Sequence, residues 1–149
     1  MNNILITGAA GFIGYNLCKS MGEKEDTTVF GIDSLNDAYD NRLKQIRLRD
    51  LENNKNFKFE NINLSDEIAL KSISNLQFDT VFHLAARAGV RQSFREPKKY
   101  ISDNTVSTAN LANFVKSSEV KKLIIASTSS IYGDSGDTPM KEGIDEKYP

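Results

Sequence analysis

The sequence predicts an α/β domain built on a parallel sheet that helices cover on both faces. Two observations lead to this fold class. Short apolar or β-branched runs alternate along the chain with longer helical patterns, and each run is apolar at consecutive positions. Strands of that kind are buried on both faces, which is typical of a parallel sheet. The 149 residues are enough for one domain with its own core, so we assign residues 1–149 to a single domain.

The predicted elements follow one another regularly. The strands are expected at residues 4–6, 29–32, 57–62, 80–84 and 123–126. The helices are expected at residues 11–21, 39–51, 66–73 and about 97–115, with Ser65 opening the third and Pro97 well placed to begin the fourth. Residues 133–149 are rich in Gly, Asp, Lys and Pro, which predicts a loop with no further strand.

The overall composition excludes several classes of partner. The net charge is −1 and the pI is near 5.9, so no basic surplus indicates a nucleic acid or an anionic membrane. Cys18 is the only cysteine, which excludes an intrachain disulfide and fits a reducing compartment. The first residues lack a basic leader and no apolar run reaches membrane-spanning length. We therefore expect a cytoplasmic protein, and we expect no metal site.

A glycine-rich turn joins the first predicted strand to the first helix. Gly8 suits a tight turn, Gly11 lets the backbone approach a pyrophosphate, and Gly14 lets the helix pack against the strand. Phe12 and Ile13 lie in the first turn of the predicted helix, where free N–H groups and the positive end of the helix dipole favour an anion. A glycine triplet alone is a weak signal, but here the flanking strand and helix are both present. The turn predicts a dinucleotide cofactor on a Rossmann-type, doubly wound sheet of about five strands in the order 3-2-1-4-5.

An acidic residue ends the second predicted strand. Asp33 can accept hydrogen bonds from both ribose hydroxyls and would repel a 2′-phosphate, while Ser34 and Leu35 supply no cation for one. The predicted cofactor is therefore NAD rather than NADP. Asn36 and Asp37 follow in the same loop, where either they help to hold the adenosine end or they cap the next helix.

Four segments resemble a known family. Together they look like the extended short-chain dehydrogenases, and within that group they are most similar to UDP-glucuronate 4-epimerases. The glycine turn marks only the superfamily, whereas the Leu-Asn-Asp and Ala-Gly-Val-Arg sequences are more specific. The segments are residues 7–14, 31–40, 83–91 and 127–133.

The resemblance implies which residues contact the cofactor. Residues 84–86 would pass under it, Asn104 would contact it from the long helix, and Asn63 and Leu64 would meet the adenine. The family usually has Asp at the position of Asn63, but an amide both donates and accepts, so we expect binding to survive. The implied cofactor residues are Gly8, Gly11, Phe12, Ile13, Gly14, Asp33, Asn36, Asn63, Leu64, Leu84, Ala85, Ala86 and Asn104.

The resemblance also assigns a catalytic hydroxyl. Thr128 matches the family's Ser/Thr partner, which would hydrogen-bond the sugar oxygen that loses a proton as hydride leaves for NAD. Related 4,6-dehydratases carry an Asp-Glu pair where this chain has Ser129 and Ser130, and related decarboxylases carry a Glu nearby. Two serines can bind a carboxylate or hydroxyl but cannot transfer protons at neutral pH, so they favour epimerisation.

Three further side chains invite a functional role. Arg91 is assigned to the substrate, since an Arg fork matches a carboxylate or a diphosphate, while Arg87 is left between that role and a solvated surface. His83, the only histidine, lies within a predicted buried strand without a Ser or Cys nucleophile motif beside it, so a structural role is favoured.

The family's reaction depends on a Tyr-x-x-x-Lys helix, and the resemblance places that helix beyond these residues. The one such string here, from Tyr15 to Lys19, lies on the helix after the glycine turn, which is the wrong element to face a nicotinamide. We therefore expect an N-terminal, cofactor-binding piece that binds NAD but does not epimerise a nucleotide sugar. Its last strand would be an exposed edge, which predicts a homodimer or other self-association.

Two other functions compete with this one. The chain could be a stand-alone NAD-binding module without chemistry, or an interaction protein that kept the fold and lost the ligand. The intact residues Gly8, Gly11, Gly14, Asp33 and Thr128 argue against the second, because a scaffold has no use for all five.

Overall fold

The structure is a computed structural model, which describes residues 2–132 and Pro139. Five parallel strands form one sheet in the order β3-β2-β1-β4-β5. They are β1 Asn2–Thr7, β2 Thr27–Asp33, β3 Phe57–Asn61, β4 Thr80–His83 and β5 Lys122–Ile125. The predicted fold class and strand order are thus confirmed. The expected loop at residues 133–149 lies, apart from Pro139, outside the described residues.

Six α-helices connect the described strands. They are α1 Phe12–Gly22, α2 Asn41–Leu51, α3 Glu67–Leu70, α4 Val90–Arg95, α5 Pro97–Tyr100 and α6 Ser107–Lys116. A 3₁₀ segment, Lys71–Ile73, extends α3, and a second, Ser129–Tyr132, follows β5. A π-helical segment, Ile101–Val106, joins α5 to α6.

Two helix starts differ from the prediction because aspartates cap them. Helix α2 begins at Asn41 rather than at residue 39, since the Asp40 carboxylate accepts a hydrogen bond from the Arg42 backbone N–H at 2.9 Å. Helix α3 is capped by Asp66 and not by Ser65. The Ser65 hydroxyl instead donates to the Asn63 side chain at 2.9 Å.

The fourth predicted helix is not one regular helix. It begins at Pro97 as expected, but π-helical hydrogen bonding interrupts it over Ile101–Val106. Helix α4, which precedes it, was missed by the sequence prediction. No residue of α4 is buried and Phe94 is 83% exposed, so the apolar stripe that reveals a helix is absent.

The core lies on both faces of the sheet, as the consecutive apolar residues predicted. In β1, Leu5 packs into one layer while Ile4 and Ile6 pack into the other. The first layer also contains Leu111 and Phe114 of α6. The second contains residues of α1 and α2, including Cys18, whose pKa burial raises to about 12, so that the thiol stays protonated.

His83 has a structural position at the end of β4. Its Nδ1 lies 2.8 Å from the Thr7 hydroxyl and its Nε2 lies 2.8 Å from the Thr108 hydroxyl, which ties β1 and β4 to α6. The imidazole is 4% exposed, and burial lowers its pKa below 6.5 because the charged form loses solvation.

His83 should make the free energy of unfolding decrease as the pH falls below about 6.5, the ordinary pKa of histidine. Its folded pKa is depressed, so its contribution is fully present above the unfolded pKa and is lost as the pH falls towards the folded pKa. We expect the free energy of unfolding to fall by up to about 1.4 kcal/mol per pH unit there. Urea unfolding at several pH values measures this.

The control for this dependence is His83→Gln, which cannot titrate. The Asp37 and Asp79 carboxylates have lowered pKa values and so act below pH 4, outside the same window. A His83→Gln protein with the same slope below about pH 6.5 would show that another group causes it.

Candidate functional site

A crevice opens at the carboxyl ends of the strands, where the chain leaves β1 to one side and β4 to the other. This is the topological switch point at which open α/β sheets bind ligands. The glycine turn, the loop after β2, the loop after β3, the loop after β4 and the π-helical segment all contribute to its walls. The lining residues are Gly8, Gly11, Ile32, Asp33, Ser34, Asn36, Ala38, Tyr39, Lys44, Ile62, Asn63, Leu64, Leu84, Ala85, Ala86, Asp103 and Ser107.

The glycine turn is folded so that side chains have no room. Gly8 has a φ of +73°, and a Cβ there would lie 2.9 Å from the Ala85 backbone nitrogen. The Gly11 N–H donates to the Gly8 carbonyl oxygen at 2.9 Å. A Cβ at Gly14 would overlap that same oxygen, so α1 reaches β1 only because residue 14 is glycine.

The N-terminus of α1 is free to meet an anion. Gly11 supplies no side-chain cap, the first turn carries no acidic residue, and within the described chain the backbone N–H groups of residues 12–14 have no hydrogen-bond partner. Phe12 and Ile13 point their side chains outward, since both are largely exposed. The backbone amides therefore supply the positive pole that a phosphate requires.

Asp33 stands at the end of β2 and is 8% exposed. One carboxylate oxygen accepts from the Ala10 backbone N–H at 3.2 Å, and the other accepts from the Leu35 N–H at 2.8 Å. Leu35 has a φ of +50°, a left-handed conformation that the hydrogen bond to Asp33 helps to hold. Asp33 thus connects the glycine turn to the loop after β2.

Lys44 is a site residue that the sequence prediction missed. Its side chain is buried, and its ammonium group lies 3.3 Å from the Asp33 carboxylate and 3.0 Å from the Asn36 side-chain oxygen. The available signal was its position on α2, where it shares the buried stripe with Leu48 and Leu51 at helical spacing. A lysine in such a stripe needs a buried acid, and Asp33 is that acid.

A second cation lies beside the glycine turn. The Arg47 guanidinium donates to the Ala10 carbonyl oxygen at 3.0 Å and to the Tyr39 hydroxyl at 3.0 Å, and it stacks on the rings of Phe12 and Tyr39. The Ala10 carbonyl and the Ala10 N–H are therefore both held from outside the turn. This fixes the direction in which the amides at the start of α1 point.

The opposite wall of the crevice is held by Thr7. Its buried hydroxyl accepts from the Leu84 and Ala85 backbone N–H groups at 3.2 and 3.1 Å. In the loop after β3, the Asn63 oxygen accepts from the Ser65 N–H at 3.0 Å and from its hydroxyl. Within the described chain, the Asn63 amide nitrogen is then the group left for a ligand.

The contacts of Asn36, Asp37 and Arg87 exclude one of the two roles considered for each residue. Neither Asn36 nor Asp37 caps α2, since Asp40 does so. Arg87 is not a solvated surface residue, because its side chain is 6% exposed and pairs with Asp37 and Asp103. The Asn104 amide oxygen accepts from the Arg87 backbone N–H at 2.7 Å, its amide nitrogen donates to the Arg87 carbonyl oxygen at 3.1 Å, and Asn104 lines a neighbouring cavity.

The residues predicted to meet substrate lie on the surface. Thr128, Ser129 and Ser130 follow β5 and are exposed, with the Thr128 hydroxyl 3.3 Å from the Ser130 hydroxyl. The neighbouring cavity lined by Asn104 reaches Ala126, two residues before Thr128. Arg91 is exposed on α4. Most of the predicted cofactor residues therefore line one crevice, whereas the predicted substrate residues are exposed and do not line it.

The Tyr-x-x-x-Lys string on α1 is engaged elsewhere. The Tyr15 hydroxyl donates to the Asp50 carboxylate at 2.6 Å, and the Lys19 ammonium lies 2.9 Å from the same oxygen. These contacts join α1 to α2, and neither residue lines the crevice.

Among the described residues no three His, Cys, Asp or Glu side chains come together as metal ligands would. None of the described helices combines the length and apolar character needed to cross a bilayer.

Comparison with known proteins places the chain in a family. Residues 5–149 match the family described as GDP-mannose 4,6 dehydratase. A UDP-glucuronate 4-epimerase of Thermodesulfobacterium geofontis is 47% identical over 133 residues, which are 89% of this chain and 41% of that protein. A probable UDP-glucuronate 4-epimerase of Rhizobium meliloti is 40% identical over 139 residues, 93% of this chain and 40% of that protein. The chain therefore spans about two fifths of the length of these relatives.

Solved structures agree with the sequence relatives. A mutant UDP-glucuronic acid 4-epimerase from Bacillus cereus, in complex with UDP-4-deoxy-4-fluoro-glucuronic acid and NAD, superposes with a TM-score of 0.80 at 32% identity. The match covers 99% of this chain and 45% of that one. A UDP-Glc/GlcNAc 4-epimerase from Campylobacter jejuni superposes with a TM-score of 0.76 at 34% identity, covering 89% of this chain and 39% of that one.

The family model spans nearly the whole chain, and the fold superposes on that of a solved epimerase. The resemblance inferred from the four sequence segments is confirmed. The chain belongs to the family described as GDP-mannose 4,6 dehydratase, and with it to the NAD-dependent epimerase/dehydratase proteins.

Proposed function

We propose that this chain is the NAD-binding portion of a nucleotide-sugar 4-epimerase, and that the nucleotide sugar is UDP-glucuronate. One observation carries the proposal: a single crevice has the uncapped N-terminus of α1 at one point and the Asp33 carboxylate at another. The relatives and solved structures that are UDP-glucuronate 4-epimerases support the choice of reaction and sugar.

The residues present fit a dinucleotide. The close packing at Gly8, Gly11 and Gly14 keeps side chains out of the space that a pyrophosphate would fill, and the α1 amides would donate to its oxygens. Asp33 would accept from the ribose hydroxyls, and the free Asn63 amide nitrogen would donate to the adenine. When bound, NAD would be the hydride acceptor for oxidation at the sugar C4, and its reduced form would be the hydride donor to the opposite face of the resulting ketone.

The arrangement around Asp33 supports NAD over NADP. A 2′-phosphate would lie close to the almost buried Asp33 carboxylate, and the two negative charges would repel each other. The Lys44 ammonium does not offset this repulsion, because its hydrogen bonds already go to Asp33 and to the Asn36 carbonyl and side-chain oxygens. Lys44 instead balances the charge of Asp33 from within the protein.

The hydroxyls after β5 support epimerisation over dehydration. We propose that Thr128 hydrogen-bonds the sugar C4 oxygen and that Ser129 and Ser130 hold the sugar carboxylate. None of the three can carry the acid and base that removal of water needs. The matching family is named after a dehydratase, so the family alone does not separate epimerisation from dehydration. The choice of epimerisation rests on these three residues and on the epimerases among the relatives.

The chemistry also needs a base that we propose lies outside residues 1–149. The Tyr15 and Lys19 pair on α1 is held by Asp50 and is not directed at the crevice. Residues 1–149 would then form a cofactor-binding domain. We also propose self-association through β5, whose outer edge is unpaired in the described chain and whose Ile125 is 52% exposed.

Gly14→Ala should weaken NAD binding. The added methyl group overlaps the Gly8 carbonyl oxygen, so the start of α1 must move away from the turn and its amides lose their direction. We expect the Kd for NAD to rise by about tenfold or more, which is roughly 1.4 kcal/mol of binding free energy. Isothermal titration calorimetry measures it, with circular dichroism to show that the variant is folded.

The matched control is Gly22→Ala at the other end of α1. Its methyl group would meet only the amide end of the Asn54 side chain, which can rotate aside. Equal NAD affinity for Gly14→Ala and Gly22→Ala would rule out a pyrophosphate at the glycine turn.

The 149-residue chain should bind NAD without turning over UDP-glucuronate. Among the described residues, the one Tyr-x-x-x-Lys string, Tyr15 to Lys19, pairs with Asp50 and does not line the crevice. Incubation with NAD and UDP-glucuronate, followed by chromatography for the 4-epimer, is expected to show no product above the protein-free blank. Product that grows with protein concentration would mean that residues 1–149 carry the whole reaction.

A further inference from the structure

Arg87 carries a buried charge that the proposed chemistry does not use. Its guanidinium is 6% exposed, and a buried guanidinium is tolerated only when acids pair with it. The Arg87 Nε donates to the Asp103 carboxylate at 2.6 Å, and its Nη2 donates to Asp37 at 2.9 Å. Two of the three guanidinium nitrogens are therefore already engaged by acids of the protein.

The partners of Arg87 belong to opposite walls of the crevice. Asp37 lies in the loop after β2, beside Asn36, and Asp103 lies in the π-helical segment. Asn36 and Asp103 both line the crevice, and the Asn36 amide donates to Asp103 at 3.2 Å. Arg87 therefore joins the two walls directly at the edge of the crevice.

The π-helical segment holds Arg87 in place through hydrogen bonds. The Asp103 carboxylate accepts from the Arg87 side chain, and the Asn104 side-chain amide accepts from the Arg87 backbone N–H and donates to the Arg87 carbonyl oxygen. The wider turn of a π-helix is a common device for presenting neighbouring residues at a functional site. The Asp103 side of the contact is half-buried, at 21% exposure.

The Asp37 side is the weaker half of the contact. The Asp37 carboxylate is 71% exposed, and it is shared with the Lys99 ammonium at 3.3 Å. Water competes for an exposed ion pair of this kind, so it breaks more readily than the Asp103 pair. Arg87, Asp37 and Asp103 thus form a clasp with one fixed end and one end that can open.

We infer that this clasp sets how long the dinucleotide stays in the crevice, with Arg87 as a positioning residue and the Asp37 contact as the part that opens. The inference rests on the proposed binding of NAD. While Asp37 is paired, the loop that carries Asn36 is held against the wall that carries Asp103. When the pair breaks, the loop keeps the contacts of Asn36 with Asp103 and Lys44 but loses the Asp37 contact, so it moves away more often and releases the adenosine end faster.

The test uses Asp37→Asn, because substitution of the buried Arg87 would remove the ion pair of the half-buried Asp103 and endanger folding. The variant keeps the shape of the side chain and removes the charge at the exposed end. We expect the rate of NAD release to rise by about two- to fivefold, as for the loss of an exposed pair, with little change in the association rate. Stopped-flow displacement of NADH from the 149-residue chain gives both rates.

Asp40→Asn is the matched control. Asp40 lies in the same loop, is paired with Arg42 and has no contact with Arg87, and asparagine preserves its role as helix cap. Amide hydrogen exchange of residues 34–39 in ligand-free protein is the second readout, and it should quicken in Asp37→Asn only.

The outcomes separate this inference from the proposed function. Faster release in Asp37→Asn than in Asp40→Asn, with faster exchange of the loop, supports the clasp. NAD binding with equal release rates in the two variants overturns the clasp alone. Failure of the unaltered chain to bind NAD or NADH overturns the proposed function and the clasp with it, and hydrogen exchange then still shows whether Asp37 holds the loop.

Discussion

The close approach of α1 to β1 at Gly8 and Gly14 is the constraint on which the rest of the site depends. The Gly8 carbonyl oxygen occupies the space where a side chain at residue 14 would lie, so the helix can begin directly above the strand end. That position brings the uncapped amides of α1 to the crevice. It also leaves Ala10 where Asp33 can accept from its N–H and Arg47 can donate to its carbonyl.

Side chains at the ends of the strands convert this arrangement into a shaped crevice. Thr7 holds the loop after β4 through two backbone amides, and Asp33 holds the loop after β2. Both act on the backbone, which explains how residues with small side chains, such as Ala85 and Ala86, form a wall. Lys44 and Arg87 then neutralise buried acids on either side.

Features encoded in neighbouring residues could be predicted from the sequence, and features encoded in distant ones could not. The strands and the glycine turn are local patterns, so their positions could be predicted. The strand order could be predicted because the glycine turn indicates a Rossmann-type fold. The pairing of Lys44 with Asp33 and of Arg87 with Asp103 depends on how α2 and the π-helical segment pack, which periodicity does not reveal. Helix α4 was missed because it buries no residue, and the helix after it shows no sequence mark of its π-helical turn.

Calorimetric titration of the unaltered chain with NAD and with NADP tests the central claim most directly. If Asp33 receives the ribose hydroxyls and Lys44 remains committed to it, NAD binds with one site per chain and NADP binds at least about tenfold more weakly. NADP binding as tight as NAD, or no binding of either, would contradict the assignment of this crevice to NAD.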